Sequence, residues 1–88
     1  MLKLARPVKP RIFYEMMAKD LIKSKREDLQ LEYSELGKRL LDHGVHIDTR
    51  VLINRINRGN FSFAFALQVL AALEVKSISV PNVLADFD

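Results

Sequence analysis

The stretch LEYSELGKRLLDHGVHIDTRVLINRINRG, residues 31–59, reads as two short helices joined by a turn. With Glu32 as N-cap, Leu31 precedes it and Leu36 falls at the fourth helical position, the spacing of a hydrophobic staple. The spacing predicts a helix over 33–42 that buries Leu36 and Leu40 with Tyr33 beside them, and Gly44 can take the left-handed conformation that closes it. Asp48 is an N-cap of the preferred kind, and Ile47 and Leu52 repeat the staple. A second helix over 49–58 then stops at Gly59. On its helical wheel Leu52 and Ile56 share one face, while Arg50, Asn54, Asn57 and Arg58, at i, i+4, i+7 and i+8, lie on the opposite one.

Outward from this pair, Pro10 suits the first turn of a helix over 11–25, in which Ile12, Phe13, Met16, Met17 and Leu21 follow helical spacing. Residues 24–28 are expected to fray into a connection. Asn60 or Ser62 can cap a fourth helix over 62–74. That helix is apolar nearly all round and must be covered on most sides, in part by a subunit interface. Met16, Met17, Phe61, Phe63 and Phe65 are expected to be packing residues. Ser77-Ile78-Ser79-Val80 alternates like a short strand that Pro81 ends, and a lone strand needs a partner.

The 88 residues are enough for one domain, and 49% hydrophobic with 28% charged residues is the composition of a chain with a core. The longest apolar run, Phe63 to Leu67, is far short of the roughly 20 residues of a membrane span. With no secretory pattern at the N-terminus and no cysteine, a soluble, cytoplasmic protein is expected. Absence of cysteine also excludes a thiolate zinc site and a thiol nucleophile. His43 and His46 lack a third ligand at useful spacing, and no glycine-rich phosphate loop is present. No catalytic residue, metal, cofactor or small-molecule substrate is therefore expected.

The net charge of +3 is unevenly spread. Residues 1–11 carry Lys3, Arg6, Lys9 and Arg11 without an acid, and Arg50, Arg55 and Arg58 stand without an acid between Thr49 and Gly59. Two separated basic segments suit a polyanion. The B-DNA major groove admits one α-helix, where Arg presents a planar fork to guanine and Asn pairs bidentately with adenine. Arg50 and Asn54 are the expected base readers and Asn57 can join them. Arg55 and Arg58 suit phosphates, Lys38 and Arg39 can flank one, and Lys9 and Arg11 belong to an arm that can follow a groove or backbone. The competing reading of each is a solvated helix face or leader.

The segments Tyr33-Ser34-Glu35-Leu36, Gly44-Val45, Asn54-Arg55-Ile56, Arg58-Gly59-Asn60-Phe61-Ser62 and Phe65-Ala66-Leu67-Gln68 resemble the DUF6471 family of small bacterial and phage proteins. That family is similar in outline to Cro/C1-type (XRE-like, lambda-repressor-like) helix-turn-helix domains. The resemblance covers residues 33–75 and implies an all-helical DNA-binding fold. Glu32 stands where the family usually has Thr or Ser, Ile53 where it tends to have Arg, and the 43–47 turn is longer than a strict helix-turn-helix allows.

The expected architecture is an all-α helix-turn-helix bundle of four to five helices with a short C-terminal extended segment, divided into an arm (1–10), the domain (11–75) and a tail (76–88). The expected function is sequence-specific binding of double-stranded DNA by a homodimer that acts as a transcriptional repressor. The alternative is a protein-interaction module, antitoxin-like or an anti-repressor partner, that uses the apolar fourth helix.

Overall fold

Four helices, α1 (Pro10–Asp28), α2 (Tyr33–Leu41), α3 (Thr49–Arg58) and α4 (Phe63–Ala72), make up the computed structural model, which describes residues 9–84. The helix starts follow from local chemistry. Asp48 accepts the Arg50 backbone N–H at 2.7 Å and Ser62 Oγ accepts that of Phe65 at 3.0 Å, each satisfying a donor that a helix N-terminus leaves free. Glu32 occupies the N-cap of α2 without a side-chain bond, and there the Leu31–Leu36 staple stands alone.

Three helix ends share one closure. The N–H groups of Leu31, Val45 and Val75 reach the carbonyls of Arg26, Leu40 and Leu70, while those of Gln30, Gly44 and Glu74 reach Glu27, Leu41 and Ala71. This is the Schellman pattern, in which the residue before the apolar one turns left-handed. Gln30, Gly44 and Glu74 have φ of 51°, 83° and 62°, so only one of the three is the glycine that such a turn favours. The closure at Gln30 carries α1 through Asp28, past the fraying expected at 24–28. Arg26 adds to it by donating to the Leu31 carbonyl at 2.7 Å with its guanidinium 4.1 Å over the Tyr33 ring.

The core is apolar throughout: Leu36 and Leu40 of α2, Leu52 and Ile56 of α3, Phe65, Val69 and Leu70 of α4, and Ile22 of α1 are buried, with Val45 and Leu73 beside them. Each such side chain contributes about 1.5–3 kcal/mol by leaving water. α2 packs on both α3 and α4, and α1 packs on α3.

Two expectations are corrected here. The α1 stripe of Ile12, Phe13, Met16 and Met17 does not enter the core: all four are exposed, Met16 at 49% and Met17 at 42%. The side of α1 turned inward is the one with Ile22 and half-buried Ala18 and Arg26, whose long stem packs as an apolar group does. The chain itself covers α4 on one side, leaving Phe63 76% exposed and Leu67 half-exposed. The tail forms no strand among the described residues; Ser77–Val80 has no partner strand and stays irregular and exposed, and the chain is tied back where Val83 N–H donates to Tyr14 Oη at 3.1 Å.

Candidate nucleic-acid interface

The α3 helix sits on the core through Leu52 and Ile56, and this fixes which side chains look outward. Arg50, Asn54, Arg55, Asn57 and Arg58 are all exposed, and no acidic residue lies between Thr49 and Arg58. At 1.5 Å per residue these ten residues make a rod about 15 Å long. Its N-terminal end is fixed by the Asp48 cap and its C-terminal end by Gly59, which turns left-handed at φ 69° and is buried against the α1 backbone. A Cβ at Gly59 would lie 2.8 Å from the Glu15 carbonyl carbon, so α3 meets α1 backbone to backbone there.

This approach brings Arg58 to the same end of the molecule as Glu15, whose carboxylate pairs with Arg11 Nε at 3.5 Å one turn earlier in α1. Lys9 is exposed at the N-cap of α1, while Lys3 and Arg6 lie outside the described residues. Among the described residues the guanidinium groups of Arg50 and Arg58 make no ion pair or hydrogen bond. The guanidinium of Arg55 instead lies 5.1 Å over the Phe65 ring and links α3 to α4.

The two basic residues of α2 separate. Lys38 is exposed, with Nζ 3.4 Å from Glu35 Oε1 in a solvent-screened pair that contributes little. Arg39 reaches across to α4, where Nη1 donates to the Ala72 carbonyl at 3.1 Å. A cation on the free carbonyls of a helix C-terminus interacts favourably with the dipole, so the structure gives Arg39 a structural partner. Alternation of side chains along α2 alone carries no signal of that bond; it depends on where α4 ends.

The connection between α2 and α3, residues 42–48, is held by the Gly44 closure and by Gln68 Nε2, which donates to the His43 carbonyl at 2.8 Å. No cluster of three or more metal-ligating side chains occurs among the described residues. Of the aromatic residues at the start of α4, Phe61 and Phe65 pack with ring centroids 5.6 Å apart, whereas Phe63 points outward against the packing role expected for it.

The sequence pattern of the family described as "Domain of unknown function (DUF6471)" matches residues 14–78. The chain belongs to the DUF6471 family. The DUF6471 span is wider than the resemblance over 33–75, taking in most of α1, all of α2, α3 and α4, and the start of the tail. Arg50, Asn54, Arg55, Asn57, Arg58, Lys38 and Arg39 fall within the DUF6471 span, and Lys9 and Arg11 precede it. No curated protein and no solved structure matches the chain. No helix among the described residues is long and apolar enough to cross a membrane.

Proposed function

We propose that this protein is a helix-turn-helix, lambda-repressor-like DNA-binding protein in which α3 enters the major groove, and that it acts as a homodimeric transcriptional regulator by occupying an operator. One observation carries the reading: α3 buries Leu52 and Ile56 and turns Arg50, Asn54, Asn57 and Arg58 to solvent with no acid among them. A rod of about 15 Å suits a groove about 12 Å wide, and the Arg and Asn side chains carry the donors and acceptors that base edges complement. Arg50 and Asn54, near the helix start, read bases with Asn57. Arg58 and exposed Lys38 meet phosphates, joined by Lys9 and Arg11 from the start of α1. Arg55 adds positive charge while resting on Phe65. Repression follows from occupancy alone, and the protein acts by binding, without catalysis. The cytoplasm is the compartment where such a protein meets its operator.

A second reading has an observation of its own. The exposed Phe63 and Leu67 on α4 suit a protein-interaction module, antitoxin-like or an anti-repressor partner. A titration against random duplex DNA at two salt concentrations separates the two. For six phosphate contacts the DNA reading predicts affinity falling by about 10³-fold between 50 and 200 mM salt, because bound counterions are released. Absence of binding at low salt favours the interaction module.

A further inference from the structure

The most apolar side of α1 faces away from the protein's own core. Phe13 and Met17 lie on that side, and Met17 with Leu21 forms one wall of a groove of about 1000 Å³. Phe63 and Leu67 of α4 form the second wall, and Ile78 and Val80 of the tail form the third. The lining is overwhelmingly apolar, yet among the described residues nothing fills it.

We propose that a second copy of this chain docks in this groove about a two-fold axis. Four observations favour that occupant. First, the patch holds both the projections and the recess that an isologous contact needs: Phe63 is 76% and Val80 85% exposed, and the groove beside them is large enough to receive both from a partner. Second, six large apolar side chains that the chain leaves exposed, Tyr14, Met17, Phe63, Leu67, Ile78 and Val80, all line this one groove, and such contiguous apolar exposure marks an interaction surface. Third, the same lining carries one acid and one base, Asp20 on α1 and Lys76 on the tail, so a two-fold axis can set Asp20 against the partner subunit's Lys76. Fourth, none of Arg50, Asn54, Asn57 and Arg58 lines the groove, and pairing there leaves both α3 faces open. The inference rests on the proposed function for its purpose, two reading helices on one duplex, and assigns the surface that joins them.

The test is sedimentation of the full chain without DNA. A dimer of twice 10.1 kDa is expected, and Leu67→Asp or Val80→Asp is expected to weaken it at least 100-fold while helix content by circular dichroism stays unchanged. Val80 lies outside every helix, so it decides the matter should Leu67→Asp unfold the domain. A wild-type monomer at 100 µM, an assembly larger than a dimer, or a dimer indifferent to Val80→Asp overturns the inference. Arg50→Ala with Asn54→Ala is expected to remain a dimer. A dimer that binds no DNA leaves this surface standing and removes the proposed function; a monomer that binds DNA overturns this surface and the homodimeric part of the proposed function and leaves only the DNA-reading role of α3.

Discussion

Gly59, at the end of α3, rests against the carbonyl of Glu15 in α1, with no room between the two backbones for a Cβ. The left-handed φ of 69° asks for glycine independently of that contact. Gly59→Ala therefore meets two costs, about 1–2 kcal/mol for the conformation and a clash with backbone that no rotamer relieves. A loss of about 3 kcal/mol or more is expected in urea unfolding. A loss below 1 kcal/mol would mean that α3 and α1 do not meet in this way.

Arg39 and Lys38 are neighbours with opposite environments. Arg39→Ala removes the donor to the Ala72 carbonyl together with packed stem and is expected to cost about 1–2 kcal/mol, whereas Lys38→Ala stays within about 0.5 kcal/mol. Thermal unfolding of the two variants checks the contrast. Equal effects would remove the structural role of Arg39.

Glu74 holds a left-handed backbone, φ 62°, that its side chain disfavours. Glu74→Gly is expected to raise stability by about 0.5–1 kcal/mol, against the usual effect of introducing glycine, because the strain relieved in the folded state exceeds the entropy added to the unfolded one. Denaturant midpoints for wild type and variant give the sign directly, and a lower midpoint for the variant contradicts the closure described for α4.

The central helix pair was legible because its signals are local: the Leu31–Leu36 and Ile47–Leu52 staples and the Asp48 cap fix both starts, and Gly59 fixes one end. What stayed hidden depends on tertiary placement. Helical spacing finds the stripe of Ile12, Phe13, Met16 and Met17, but it does not say whether that stripe covers the chain's own core, and here Ile22 and Ala18 take that place. The turns at Gln30 and Glu74 carry no glycine to mark them. Arg39 reads as a surface cation until the end of α4 comes beside it. For the candidate site, the burial of Leu52 and Ile56 and the exposure of the Arg and Asn side chains were both readable from one helical wheel, since an α3 of ten residues with only one apolar stripe has one way to sit on a core.

Selection of bound duplexes from a random DNA pool, run with wild type and with Arg50→Ala plus Asn54→Ala side by side, tests the role of α3 most directly. Wild type is expected to enrich one inverted repeat with half-sites about 34–36 Å apart. The double variant, with unchanged circular dichroism, is expected to enrich none, having lost about 1–3 kcal/mol of discrimination at each base read. Recovery of the same repeat by both proteins at equal affinity would contradict the assignment of α3 as the reading helix.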